Sequence, residues 1–370
     1  MKLTAGGILL VMMATLSSGC ATPTYQSPKP APALTLSEAE RQQGKALHYR
    51  LAQQQRLNRV SWPLLKASTD LCPDKIRPAL GFQYANSHSF APSDAQQTDT
   101  KQPASERDAA IREFKLGEVL QVMAVVPGSG ADLAGIKTGD KLIKLGEQSL
   151  PTGRTALLEA PEILRQQLAD LKPDQTIEVT LYRNGQTLTR PLKPQTLCDY
   201  PVKRLPSEQI NAYADHYSVA ITDGMLAFAT NEDDLALVIA HELAHNLLDH
   251  IPATARNTLL GGALDLLLIS QGILSPGAFS LGGSVHFSKA FESEADYLAL
   301  YLLARAGYDL EGRAEFWRRL SNSRPSHILS ETGSTHPGNA ERYVRMQAAI
   351  AEIRLKQQRK EALVPNTIKP

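Results

Sequence analysis

The chain has 370 residues, with 39 Lys and Arg against 38 Asp and Glu and a formal net charge of +1 at pH 7. That balance, without a basic stripe, excludes an electrostatic nucleic-acid binder. A hydrophobic share of 42% excludes a wholly disordered chain, and the length allows two or three domains.

Lys2, the apolar run 8–16 and then Ser17, Ser18, Gly19 and Cys20 have the order of a secretory signal over 1–19. The apolar run is too short for an ordinary membrane span. The segment ending at Cys20 resembles a bacterial lipobox, with Leu16 one position early and Ser17 in its place. An ordinary signal with a chance cysteine is the alternative. The resemblance implies lipidation of Cys20. With Ala21 rather than Asp next, it also implies sorting to the outer membrane of a Gram-negative cell, facing the periplasm. Residues 20–36 then form a lipidated, Pro-rich tether.

Residues 37–110 read as an N-terminal helical segment and polar linker that pack on the body of the protein. An amphipathic helix is expected over 37–60, with a capping box from Ser37 to Glu40. A Ser-, Gln- and Pro-rich linker follows over 86–106. Cys72 and Cys198 bracket an apparent insert. In an oxidising compartment a disulfide between them would pin its ends, and two buried thiols are the alternative.

Residues 111–196 carry their own pattern. A strand is expected over 120–126, a helix over 156–171 and a strand over 177–182, with Asn184-Gly185 as a hairpin turn. The run from Ala131 through Ala134, Gly135 and Ile136 to Gly139 and Asp140 resembles the A-x-x-A-G-hydrophobic-x-x-G-D segment of protease-associated PDZ domains. The resemblance implies a β-rich domain that binds peptide C-termini by strand addition. A rigid spacer or lid is the alternative. Residues 114–117 match a carboxylate-binding loop poorly.

Residues 217–222 alternate around Val219 and Ile221 and are expected as an edge strand able to pair with an extended peptide. Asn231, with acids at 232–234, then starts a helix whose apolar spacing runs through Leu243, and Pro252 closes the segment. This helix carries His241-Glu242-Leu243-Ala244-His245, an HExxH motif. Imidazoles four residues apart share a helix face and can hold one metal ion, and Glu242 is placed as a general base. Zinc suits such donors. A third ligand from the metzincin pattern fails, because Leu248 and Ile251 stand where Gly and His are required. The run Glu292-Ser293-Glu294-Ala295-Asp296 supplies the other option. Its helix is capped by Ser288 and ended by Gly307. Glu292 and Asp296 share a face, so one carboxylate can bind the metal while the other holds a ligand histidine by its free N–H. Glu294 points elsewhere, into a salt bridge.

HELAH followed by ESEAD resembles the gluzincin metalloproteases of the HtpX-like and BepA-like kind, a family that includes the CAAX prenyl protease. The likeness covers roughly residues 205–350. It implies His241, His245 and Glu292 as ligands of one zinc ion per chain, Glu242 as base and Asp296 behind a ligand. Thr335-His336-Pro337 with Arg342 resembles a further family signature. It implies that His336 contacts the metal transiently or hydrogen-bonds the tetrahedral intermediate, or else only orders its turn. His250 matches a frequent histidine after the motif and receives no role. The apolar stretch 259–281 is interrupted by Asp265, Gln271 and Pro276, so a buried helix and loop are expected rather than a span.

The expected architecture is therefore α+β: a mainly helical zincin-type metalloprotease domain over 197–350 with a small edge-stranded sheet, an inserted β-rich PDZ domain, and a charged, solvated tail over 351–370. The expected function is a zinc metalloendopeptidase of the envelope acting on unfolded or extended polypeptides, in protein quality control. The rival is a non-proteolytic PDZ binding or assembly lipoprotein with an occluded or latent zinc site.

Overall fold

The computed structural model describes residue 25 and residues 27–90, 105–169, 171–172, 174–253, 289–323 and 340–367. Cys20, His336, Ser288, the stretch 259–281 and most of the 86–106 linker lie outside the described residues.

The architecture is α+β. Helix α1 (Pro32–Ala67) starts with a proline in its first turn, where the missing N–H costs nothing. It begins earlier than the sequence pattern predicts, and the expected capping box is not used: Ser37 Oγ donates back to the carbonyl of Leu34. Buried Leu57, Val60, Leu64 and Leu65 seat the second half of α1 in the main core.

The chain then forms β1 (Ile76–Ala79) and β2 (Phe82–Ala85), before α2 (Glu106–Phe114). The insert continues through β3 (Gln121–Val125), α3 (Gly130–Leu133), β4 (Lys141–Leu145), β5 (Gln148–Ser149), α4 (Ala156–Ala169), β6 (Ile177–Arg183) and β7 (Gln186–Leu192). Its sheet runs β2-β3-β4-β6-β7, with β5 paired to β4. Here the sequence boundary at 111 needs correction: edge strand β2, assigned to the N-terminal segment, belongs to the insert's sheet. The β6–β7 hairpin turns on Asn184 and Gly185, both at positive φ (49° and 84°), the conformation a two-residue turn requires. The insert has its own core, including Leu120, Val122, Leu142, Leu181 and Leu192.

The insert leaves and rejoins the body at one place. Strand β8 (Gln195–Cys198) pairs antiparallel with β1, setting Ile76 opposite Cys198 and Ala79 opposite Gln195. The Cys72–Cys198 disulfide closes the same junction.

A second sheet follows, of β9 (Val202–Leu205), β10 (Ala212–Ala214) and β11 (Val219–Thr222), in the order β10-β11-β9. The expectation of an edge strand at 217–222 is overturned, because β11 is central. It pairs antiparallel with β10 and parallel with β9, and of its four residues only Ala220 is not fully buried. The alternating pattern suggests a half-open strand, but the parallel partner that covers the other edge is contributed from a distance along the chain. Strand β10 is an edge strand of this sheet.

The remaining elements are α5 (Asp223–Phe228), α6 (Glu232–Leu247), α7 (Lys289–Ala306), α8 (Arg313–Asn322) and α9 (Ala340–Gln358). Gly307, at φ 83°, ends α7 as expected. The tail expected to be solvated is partly structural. Ile353 is buried in the main core, Lys356 Nζ donates to the carbonyl of Val364 (2.7 Å), and Asn366 N donates to the Tyr297 hydroxyl (3.0 Å). Among the described residues no helix is long and apolar enough to cross a membrane.

Adjacent glutamines of α1 serve both halves. Gln54 Nε2 donates to the carbonyl of Val202 while its Oε1 accepts from Arg204 N, both on β9 (2.9 Å each). Gln55 Nε2 donates to the carbonyl of Met123 (3.1 Å), where the β2–β3 register slips.

The disulfide closes a loop spanning a sequence separation of 126, which strongly restricts the unfolded chain. Replacing both Cys72 and Cys198 with Ala is expected to cost about 2–5 kcal/mol. Guanidinium unfolding at equal pH measures it as a lowered midpoint relative to the oxidised protein.

Candidate metal centre

Helix α6 is set by its first turn. Asn231 caps it, accepting from Asp234 N at 2.8 Å, and Glu232, Asp233 and Asp234 face the positive end of the helix dipole. Asp234 is buried and paired with Arg313 and Arg319 of α8, which locks the start of α6 to its neighbour. Every residue from 234 to 246 is buried, so the motif lies in a core helix. The helix ends at Leu247, earlier than Pro252 suggests. Asp249 takes a left-handed φ of 53°, and helical turns resume at His250.

His241 and His245 stand one turn apart, with their Nε2 atoms 3.2 Å from each other. Helix α7 packs along α6 and brings Glu292 in its first turn and Asp296 one turn later. Glu292 Oε2 lies 3.4 Å from His241 Nε2, and its Oε1 lies 3.3 Å from His245 Nε2. One ligand atom from each of the three residues lies within 4.8 Å of the others, all buried. Glu242, on the same turn of α6, is buried too.

Two imidazole nitrogens and a carboxylate oxygen are a donor set that suits zinc. Glu242, Glu292 and Asp296 are buried in this cluster together with the guanidinium of Arg342. Buried carboxylates at such a three-donor site favour a bound cation.

Asp296 Oδ1 lies 3.0 Å from His241 Nδ1, placed to accept its N–H and so direct Nε2 toward Glu292. Asp296 is held in turn by Arg342 of α9, through Nη2 at 2.7 Å and through Nε. Arg342 Nη1 reaches Glu292 Oε2 at 3.3 Å, and the guanidinium lies 3.8 Å from the centre of the Trp317 ring. Burial opposes charge on Asp296, yet Arg342 and His241 outweigh it and hold its carboxyl below the usual range. Burial likewise opposes charge on His241, but hydrogen bonds to Asp296 and Glu292 prevail and raise its pKa to about 9.

His245 meets a different partner. His250 Nδ1 lies 2.9 Å from His245 Nδ1, and His250 Nε2 lies 3.1 Å from Glu294 Oε2. The His250 ring stacks on Phe291, centroid to centroid at 4.3 Å and 12° between planes. Burial pulls the His250 pKa down, with Glu294 opposing. Next to His245, buried Asn246 accepts from His216 N (2.8 Å) and donates to the carbonyl of Ser218 (2.9 Å), tying α6 to the β10–β11 turn.

Of the residues singled out in the sequence, the structure thus brings together His241, Glu242, His245, Glu292 and Asp296. Sequence reasoning gave no part to Trp317, Asn246 or His250, and placed Arg342 only within a signature. Buried positions beside the motif were the available signal, but which of them converge depends on α7, α8 and α9.

A helix-borne pair of histidines with a glutamate from a second helix is a metallopeptidase-type site. Residues 186–350 match Peptidase family M48. The match starts at the beginning of β7 rather than at 197. The chain is 29% identical over 150 residues to the mitochondrial metalloendopeptidase OMA1 of Schizosaccharomyces pombe, covering 38% of this chain and 43% of that protein. It is 31% identical over 150 residues to a putative beta-barrel assembly-enhancing protease of Vibrio cholerae, covering 35% of this chain and 30% of that one. The chain therefore spans less than half the length of either relative. Among solved structures, the HtrA3 PDZ domain bound to a phage-derived ligand aligns with 33% of this chain and 88% of its own, at 15% identity and a TM-score of 0.22.

The raised His241 pKa fixes a pH dependence. The folded value of about 9 lies above the ordinary 6.5, so the folded state binds the proton more tightly. The stability this contributes is complete below about 6.5 and is lost as pH rises through about 9. Thermal melts of metal-free protein should therefore fall between those pH values, and the fall should flatten in His241→Gln.

Proposed function

We propose that this protein is a zinc-dependent endopeptidase that cleaves unfolded or extended polypeptides in the bacterial envelope, in protein quality control. The convergence of His241, His245 and Glu292 within 4.8 Å carries this reading. His241 and His245, through Nε2, and Glu292 would hold the zinc. Zinc when bound supplies Lewis-acid polarisation of a carbonyl and makes a water more acidic.

The chain's own groups do the rest. Glu242 accepts a proton from the attacking water and returns it to the leaving amine as the C–N bond breaks. Asp296, fixed by Arg342, keeps His241 in the tautomer that presents Nε2. His336 is assigned, by the family signature, as a donor to the developing oxyanion. Edge strand β10 rests against α6, so an extended peptide adding to it would lie along the motif helix through main-chain hydrogen bonds. Such bonds read backbone, which favours extended chain over compact ligands.

The insert is proposed as a PDZ domain. The Ala131–Asp140 pattern supports this, as does β2, an edge strand preceded by Gly81 at φ 90°. A peptide end adding to β2 would place its carboxylate beside the Leu80-Gly81-Phe82 backbone. The lipobox-like Cys20 supports a lipoprotein anchored in the outer membrane and facing the periplasm, and the beta-barrel assembly-enhancing relative of Vibrio cholerae supports a place in the bacterial envelope.

Purified protein should bind one zinc equivalent and cleave casein. Glu242→Gln should retain the metal and lose at least about 10²-fold in rate. Casein hydrolysis with zinc quantified in the same samples decides: equal rates for both proteins, or inertness of both with zinc bound, would sink the endopeptidase reading. His245→Ala and Glu292→Ala should each lose the metal.

A further inference from the structure

We infer that His250 is a positioning residue for His245, and that Glu294 fixes the tautomer in which His250 does so. The inference rests on the zinc reading of the site and extends it to residues outside the ligand set.

The proton directions follow from the contacts. A His245 that offers the Nε2 lone pair to a metal carries its proton on Nδ1. His250 Nδ1 lies 2.9 Å from that atom, and only one of the two nitrogens can hold a proton in that hydrogen bond. His250 must then accept at Nδ1 and carry its own proton on Nε2. That atom faces Glu294 Oε2 at 3.1 Å, a carboxylate that can only accept when ionised. Along Glu294, His250 and His245 these contacts give a self-consistent set of protons, in which His245 Nε2, the atom facing Glu292, carries none. Stacking on Phe291 fixes the plane of the relaying ring.

The backbone supports the same assignment. On an unbroken α-helix, residues five apart are turned about 140° from each other and could not meet. The left-handed turn at Asp249 breaks α6 and returns His250 over the site. Asp249 Oδ1 lies 3.3 Å from His216 Nδ1, and His216 N donates to Asn246, so this turn is tied to the β10–β11 turn. The two ligand histidines are thus oriented by unlike means. A carboxylate held by Arg342 serves His241, and a neutral imidazole backed by Glu294 serves His245.

The test measures zinc affinity by competition with a chromophoric chelator, and the visible spectrum of the cobalt(II)-substituted protein. The comparison covers the natural chain, His250→Leu, His250→Asn and Glu294→Ala. His250→Leu removes the acceptor and should weaken zinc binding about 10–100-fold, with a changed cobalt spectrum. His250→Asn keeps an acceptor oxygen where Nδ1 stood and should restore affinity close to the natural value. Glu294 has a side chain 54% exposed, so Glu294→Ala leaves packing intact and should weaken binding several-fold. Should His250→Leu fail to fold by circular dichroism, the other two variants decide. Natural affinity and spectrum in Glu294→Ala or in folded His250→Leu, or an Asn variant as weak as Leu, would overturn the assignment. A natural chain that binds no zinc would overturn the zinc reading itself and this inference with it.

Discussion

The constraint on which the centre depends is the cost of taking charge out of water. Three carboxylates, one guanidinium and a pair of imidazoles are packed between α6, α7 and α9 with almost no solvent contact. Isolated, each ionised group would be strongly unfavourable there. Asp296 is met by Arg342 and His241, and Glu292 by both histidines, each from another element. These pairs tie α6, α7 and α9 to one another.

Much of this was legible in the primary structure. The motif on α6 and the two acids on α7 follow from helical spacing and from the chemistry of the donor types, and α7 ends at Gly307 as its position suggests. The twisted Asn184-Gly185 hairpin was equally readable, because only certain residues accept positive φ. The misreadings share a cause. Strand β11 shows an alternating pattern, yet its parallel neighbour β9 makes it central. Phe82–Ala85 sits beside a polar linker, yet it pairs with β3 and joins the insert's sheet. In both cases a partner remote along the chain outweighed the local pattern.

His250 shows the same limit at the level of one residue. Its spacing from His245 argues against contact on a regular helix, and one left-handed aspartate reverses that conclusion. Arg342 enters the sequence reading only as part of a family signature. Its burial against Trp317 depends on α8, which the sequence does not tie to it. Local rules place side chains on faces. Which faces close on each other is decided by the core, here Leu235 to Ala244 against Ala295 to Leu303 and the second half of α1.

The β1–β8 junction has a consequence of another kind. The chain departs for the insert and returns from it through neighbouring antiparallel strands, and the Cα atoms of Cys72 and Cys198 are 5.9 Å apart. A module whose two ends emerge side by side can be acquired, exchanged or shed as a cassette without displacing its host. On this scaffold the body and the insert are therefore free to evolve on separate schedules. Of the contacts described, those that α1 makes through Gln54 and Gln55 oblige them to keep a common register.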